Sequence, residues 1–490
     1  MNVISITPIY VMLTSLIAIF PIGIFSKTPN LREAVTFIAG AVKLYFVFSM
    51  LPTILEGKTI DYELISILPN LSIAFKVDGF GLLFAFVASS LWIVTSLYSI
   101  GYMRGTKEHS QTRFFSFFAL ALSATMGVAF SANLFTMYLF YEILSLSTYP
   151  LVTHHQDAEA KTGGRTYLCY LLGTSIAFLL PAMIMTYLIS GTLDFSATGV
   201  FLQQLPMEWL SLLFFLFIFG FAKSGIMPFH SWLPGAMVAP TPVSALLHAV
   251  AVVKVGVFCV VRVVTGVFGV QLLSSTNLPI ILSIIAAITI IVSSCIALSQ
   301  DNLKRLLAFS TIGQLSYIIL GVSLLSVAGI KASMMHIVMH AFGKITLFFC
   351  AGAIYVATGK KKISQMKGIA HYMPFTMTAF LLGALSIIGF PPLGGFLSKF
   401  YLIIGALDAK QTWVMIILLI SSFLNAAYFF PIIYKAFFLK PDTSDHKFKE
   451  APFCAMLPPV ITALFSVGFF FYPDLILKLT EVMITVSLKL

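Results

Sequence analysis

The chain reads as an all-α polytopic membrane protein of about fourteen transmembrane helices, with two inverted five-helix repeats that each contain a broken helix. Three observations support that reading. Hydrophobic residues make up 59% of the 490 positions and charged residues only 10%, against about 25% charged in ordinary soluble domains. Apolar runs near the ~20-residue spanning length recur along the whole chain. Two of those runs carry Gly and Pro at mid-depth, where proline removes a backbone donor and clashes with the preceding turn.

The expected spans fall near 4–25, 31–52, 79–102, 112–131, 133–153, 161–190, 208–238, 242–264, 279–299, 303–326, 331–358, 375–406, 411–438 and 453–473. The first run has no basic segment before it and reads as a span rather than a cleaved leader. Polar connections are expected at 53–78 and 439–452. The breaks are Gly220–Pro240 (GFAKSGIMPFHSWLPGAMVAP) and Gly389–Lys399 (GFPPLGGFLSK), in spans seven and twelve. Broken helices at matching positions of two halves are the signature of a transport site between repeats. Spans 4–8 therefore pair with spans 9–13. This gives an N-terminal three-helix peripheral segment (1–110), a first repeat (111–270), a second repeat (271–440) and a C-terminal helix and tail (441–490).

Fourteen spans put both termini on one face. Counting Lys and Arg by loop then gives 17 on one side, 7 on the other and five inside the spans. The positive-inside rule puts the richer side in the cytoplasm and both termini outside it, in a cell membrane. The net charge of +11 is thus a topology signal and does not point to nucleic acid. The five cysteines are scattered singly without ligand spacing, so neither a cysteine-held cluster nor a structural zinc is expected. No dinucleotide or Walker motif occurs.

The informative residues are the charges inside the spans: Lys43, Lys223, Lys254, Lys344, Lys399 and Glu142. Each costs about 2.5–3.5 kcal/mol at the bilayer centre on insertion scales, and such residues face wet interiors that handle ions or protons. Glu142 is the one acidic residue at mid-depth. A carboxylate there needs a cationic partner to stay charged, so its proton occupancy depends on a neighbour. Lys223 lies at the first break and Lys399 after the second. His248 precedes Lys254 by six residues. His336, His340 and Lys344 fall at i, i+4 and i+8, one stripe on a helix; histidine titrates near neutrality, which suits proton hopping. A metal or haem site on the His336/His340 pair and plain structural hydrogen bonding are the alternatives. Lys43 is expected to snorkel to the interface and to be dispensable. His230 and Trp232 are placed near an aqueous mouth, and Asp301, Lys304 and Arg305 at an interfacial helix start. Together these charges are expected to converge into a polar chain across the bundle, parallel to the membrane plane.

Glu142 in its helix, Lys223 before PFHSWLPGAMVAPTPVSALLHAVAVVK, and the HxxxHxxxK stripe resemble the antiporter-like subunits of respiratory complex I, Mrp-type Na+/H+ antiporters and membrane-bound hydrogenases. The resemblance runs from about Gly79 to Phe438, and is strongest to the Mrp D-type subunit, since no long lateral C-terminal helix is evident. It implies a proton-translocating membrane subunit of a multi-subunit Mrp-type cation/proton antiporter or of a redox-driven, complex I-like pump, partnered by other membrane subunits, moving protons and possibly sodium, and carrying no cofactor of its own. It also implies that Glu142 and Lys223 form a gating ion pair, that Lys254 with His248 is central, that His336, His340 and Lys344 link the halves, and that Lys399 is the terminal lysine. Rivals are a self-sufficient sodium/proton exchanger and a quinone- or haem-binding oxidoreductase subunit. The exchanger lacks a paired-aspartate site in any span.

Overall fold

Eleven helices are long and apolar enough to cross a membrane, and they pack by the depth at which their small and polar residues sit. The computed structural model describes residues 2–201, 205–441 and 449–488; Lys447 and Lys489, counted above in the charge asymmetry, lie outside them. In chain order the elements are β1 (Asn2–Ile4), α1 (Thr7–Ile24), α2 (Pro29–Leu55), β2 (Thr59–Leu68), β3 (Leu71–Val77), α3 (Gly79–Gly105), α4 (Gln111–Ala129) and α5 (Leu134–Val152). The first break is flanked by α6 (Ala158–Ser190), α7 (Met207–Gly220) and α8 (Thr241–Phe268). Then follow α9 (Leu278–Leu298), α10 (Leu303–Ser323), α11 (Val327–Thr358), α12 (Pro374–Ile388), α13 (Gly394–Asp408), α14 (Thr412–Phe438), α15 (Phe453–Phe471) and α16 (Asp474–Val482).

Three helices form the core. The most apolar 18-residue stretch of α8, α10 and α11 is wholly buried, against about a third in α1, α2, α6 and α15. The outer helices need only one face for protein and give the other to lipid. The inner three touch protein all round, and these are the helices that carry Lys254, Gln314, His336, His340 and Lys344. With no water in the hydrocarbon, a polar side chain has to find its partners inside the bundle.

Both expected breaks are present. The helix α7 stops at Gly220, and Lys223 lies in a single tight turn, Ala222–Ser224, before the chain resumes regular helix at Thr241. The helix α12 ends at Ile388, where Gly389 takes φ +89°, and α13 restarts at Gly394. The expected single run 375–406 is therefore two helices meeting at mid-chain.

The all-α expectation needs one correction. Residues expected as a polar connection, 53–78, form a small sheet in the order β1-β2-β3, with β1 parallel to β2 and β2 antiparallel to β3. The segments YELISIL and LSIAFKV are β-rich and separated by Pro69-Asn70, a hairpin signal. Asn70 takes φ +58° at the turn, a conformation Asn tolerates. Hydropathy alone misses this hairpin, because neither strand is long enough to span.

A buried ion pair closes this end of the bundle. Asp78 caps α3, its Oδ1 accepting from Gly81 N at 2.8 Å. The same carboxylate takes both terminal nitrogens of Arg262 on α8, at 2.5 and 2.6 Å. Burial alone would raise the Asp78 carboxyl; the Arg262 charge and hydrogen bonds, with the Gly81 amide, outweigh it and hold it below its usual 3.8. Arg262 is a loop cation in the charge count, yet it is only 6% exposed. Arg262→Ala strands a buried carboxylate, so it should cost about 3–5 kcal/mol. Thermal unfolding of the purified chain checks this, and the Arg262→Ala/Asp78→Ala double variant should lose less than the two single losses added.

Candidate functional site: a buried charge chain

The first break places Lys223 against α5. Its Nζ donates to Tyr141 O at 2.8 Å and Ser145 Oγ at 2.7 Å, and lies 3.0 Å from the Tyr141 ring centroid. Tyr141 and Ser145 bracket Glu142 on the same helix. Glu142 itself turns toward α6, where Ser175 Oγ donates to its Oε1 at 2.5 Å, while its Oε2 is buried without a hydrogen-bond partner. The implied Glu142–Lys223 ion pair is therefore not closed: among the described residues no salt bridge joins them. Lys223 meets α5 at Tyr141 and Ser145, and Glu142 faces a different neighbour, because consecutive helical residues point about 100° apart.

Helix α8 separates Lys223 from Lys254. Gly256 packs directly on the backbone of Lys223 and Ser224, and a methyl group there would overlap both. Lys254, two residues earlier, points to the far side of the helix. There its Nζ contacts His340 Nδ1 of α11. Just before it, Leu246–Val250 is a π-helical turn, a local irregularity common at functional sites. This turn carries His248, whose ring lies 5.0 Å from Phe348 and whose two nitrogens have no hydrogen-bond partner. His248 is thus buried near the chain without joining it by a direct bond.

The histidine stripe faces inward as expected. The rings of His336 and His340 are parallel, 3° apart in plane, with centroids at 5.9 Å. His336 reaches Ser398 Oγ on α13 at 2.8 Å and Gln314 Oε1 on α10 at 3.2 Å, and Tyr317 lies over it at 5.4 Å. Lys399 also meets Tyr317, with Nζ 4.9 Å from that ring centroid. Lys399 Nζ donates to Ile387 O and Ile388 O, both at 2.9 Å, the last carbonyls of α12. A broken helix leaves those carbonyls orphaned, and a cation at a helix C-terminus meets the favourable end of its dipole. Gly389 is required here, since a Cβ would collide with the Lys399 stem.

Lys344 does not continue the stripe to a third histidine contact. Its Nζ donates to Ser310 Oγ at 2.7 Å, which pairs with Tyr428 OH at 2.8 Å, and that hydroxyl donates to Asn425 Oδ1 at 2.7 Å. Lys344 therefore opens a branch toward α14. Sequence reasoning missed Tyr141, Ser145, Ser175, Ser310, Gln314, Tyr317, Ser398 and Tyr428. Each lies near an ionisable residue in its own helix or the facing one, a signal that appears only when helices are paired.

Lys43 is a correction. It is 0% exposed, with Nζ bonded to Leu122 O of α4 at 3.3 Å and 4.9 Å from the Trp92 ring of α3. It cannot snorkel, because α2 turns this face onto α3 and α4. Trp232 is also buried, its Nε1 donating to Ala222 O at 3.0 Å, and so braces the Lys223 turn. His230 is partly buried, its Nδ1 without a partner. Asp301 accepts from Ser364 N and Oγ, both at 2.9 Å. Lys304 Nζ donates to Ala239 O at 2.6 Å, and Lys304 with Arg305 lines a cavity of about 580 Å³ at the end of the bundle where α3 finishes.

This arrangement can be compared with known proteins. The family described as NADH:quinone oxidoreductase/Mrp antiporter, TM, matches residues 131–425, a stretch that contains every residue of the chain from Glu142 to Lys399. This protein belongs to that family. A second family, described as NADH-ubiquinone oxidoreductase (complex I), chain 5 N-terminus, matches residues 67–115. The A-type Na(+)/H(+) antiporter protein of Alkalihalophilus pseudofirmus is 33% identical over 441 residues, covering 83% of this chain and 54% of the relative. NADH-quinone oxidoreductase subunit N of Desulforudis audaxviator is 33% identical over 422 residues, covering 84% and 82%. The chain spans about half the length of the A-type antiporter relatives it matches. In three dimensions it superposes on a chain of the Mrp complex from Dietzia sp. DQ12-45-1b with TM-score 0.87, 19% identity and 98% and 97% coverage. It superposes on a chain of the membrane-bound sulfane sulfur reductase, an archaeal respiratory membrane complex, with TM-score 0.88, 24% identity and 99% coverage of each. Those two likenesses establish the fold, a multi-pass membrane architecture.

Emptying the Lys43 site should destabilise this antiporter-family chain. Lys43→Ala leaves a buried void of the kind that costs about 2–5 kcal/mol. Lys43→Met, which keeps the volume, should unfold at a temperature nearer that of the unsubstituted protein in a melt of the purified chain.

Proposed function

We propose that this chain is a proton-translocating, antiporter-like membrane subunit of a larger assembly, either an Mrp-type cation/proton antiporter or a complex I-like respiratory pump. The observation that carries the reading is the buried succession Lys254–His340–His336–Ser398, ending beside Tyr317 and Lys399. Titratable groups in or near hydrogen-bond reach, sealed from lipid, can pass a proton by successive bond exchange. In a low-dielectric interior a charge at one member shifts the proton affinity of the next by several kcal/mol.

In this proposal Lys223 and Glu142 act as the switch. Lys223 rests on Tyr141 O and Ser145 Oγ in an open state; swinging to the unpartnered Glu142 Oε2 closes the ion pair and changes the field at Lys254. The signal has to pass around α8, since Gly256 and the Lys223 backbone fill the direct line. Lys399, held by the α12 carbonyls, is the terminal site. The finer architecture belongs to the same proposal: fourteen spans, with residues 111–270 and 271–440 as inverted repeats, 1–110 and 441–490 peripheral, and both termini outside the cytoplasm. Its support is the matching placement of Lys223 and Lys399 at two helix breaks.

The decisive measurement is proton uptake by vesicles holding the assembled complex. Glu142→Gln and Lys223→Ala should each cut coupled proton movement at least about tenfold, the factor that ~1.4 kcal/mol of lost coupling produces, while the complex still assembles. Unchanged pumping removes the relay. Lys399→Ala should slow proton release more than uptake in transient kinetics; equal slowing of both would remove its terminal role.

A further inference from the structure

Where α3 ends and α5 ends, two turns bring four side chains together that the charge chain does not use. Glu108 and His109 lie in the turn between α3 and α4, His154 and His155 in the turn between α5 and α6. Glu108 Oε2 lies 3.3 Å from His155 Nε2 and 3.8 Å from His154 Nε2. One ligand atom each of Glu108, His109 and His154 falls within a 4.8 Å cluster, and the rings of His109 and His154 are 4.8 Å apart. His154 is 0% exposed, yet neither ring nitrogen has a hydrogen-bond partner. Burying a polar group unpaired costs about 1–3 kcal/mol, and native structures rarely leave one so.

We propose that Glu108, His109, His154 and His155 form a binding site for a divalent transition metal of the zinc class, clamping the α3–α4 turn to the α5–α6 turn. Three imidazoles and one carboxylate are a donor set that such a borderline ion takes in tetrahedral geometry, with bonds of about 2.0–2.2 Å. Bonds of that length put ligand atoms roughly 3.3–3.5 Å apart. The Glu108–His155 pair already has that spacing, and the Glu108–His154 pair exceeds it by a few tenths of an ångström. His109, exposed on its turn, has the freedom to close the remaining gap.

The scaffold holds this set in place. Arg113 Nη2 donates to His154 O at 2.8 Å, and Gln111 Nε2 donates to Glu108 O at 3.1 Å and Met103 O at 3.3 Å. Supported ligands of this kind are what a metal site needs in order to select geometry. An entry path exists, since Glu108 and His155 also line the 580 Å³ cavity. The scattered cysteines carry no information here, because the ligands are imidazole and carboxylate.

The test uses the full chain in detergent, without a polyhistidine tag, stripped by chelator and titrated with Zn2+ by calorimetry and with Co2+ by visible absorbance. The expected result is one equivalent of Zn2+ per chain and intense Co2+ bands of a four-coordinate ion. His109→Ala removes an exposed side chain and leaves the fold intact; it should weaken Zn2+ at least about tenfold and abolish the thermal stabilisation that Zn2+ gives the unsubstituted chain. His371→Ala, in a different turn with its Nδ1 at Gly368 O, should bind as the unsubstituted chain does. Millimolar or weaker binding by the unsubstituted chain, or equal affinity in His109→Ala, would overturn the site.

Discussion

The contact between Lys254 and His340 is the constraint from which the rest of this structure follows. An ammonium group in the middle of a bundle has no water to solvate it, and its only outlets are acceptors on neighbouring helices. Lys254 therefore fixes how α8 faces α11. That choice orients the whole α11 stripe, so that His336 reaches α13 and α10 while Lys344 reaches Ser310. Each lysine in the core is met by carbonyls, hydroxyls or an imidazole: Lys223 by Tyr141 O and Ser145, Lys344 by Ser310, Lys399 by the end of α12. Among the described residues none of these lysines forms a salt bridge with a carboxylate. A lysine held by neutral acceptors is easier to discharge than one locked in an ion pair, and this is the property a relay needs.

The ion pairs of this protein lie elsewhere. Asp78–Arg262 closes one end of the bundle, and Glu33 with Arg104 and Arg32 closes the other, with Arg104 Nη2 at 2.5 Å from Glu33 Oε2. These pairs tie helix ends together near the membrane surfaces, where charge is tolerated at lower cost. The division is physical: permanent pairs hold helices at the rims, while neutral-acceptor contacts keep the interior lysines able to change state. The helix breaks serve the same division. Ending α12 inside the bundle exposes two carbonyls for Lys399, and the turn at Ala222–Ser224 lets Lys223 leave helical register and lie across α5.

Membrane class, the positions of most long helices from Gly79 onward, both helix breaks and the inward stripe of His336 and His340 were legible in the chain itself, because hydropathy, proline and 3.6-residue periodicity are local properties. The small sheet of residues 59–77 was legible but overlooked. Lys43 was misplaced, since depth along a helix says nothing about which face a neighbour covers. The polar partners Ser145, Ser175, Gln314, Tyr317 and Ser398 could not be singled out from dozens of similar residues.

The amino-acid sequence by itself determined that this is a membrane protein with charges that cannot be left in lipid, and roughly where along each helix they sit. Only the tertiary structure decided which acceptor each charge meets, that Glu142 turns away from Lys223, and that Glu108, His109, His154 and His155 come together from two turns. The reason is that a helix fixes the direction of a side chain relative to its own axis, whereas the partner in that direction depends on how helices far apart in the chain rotate and slide against one another.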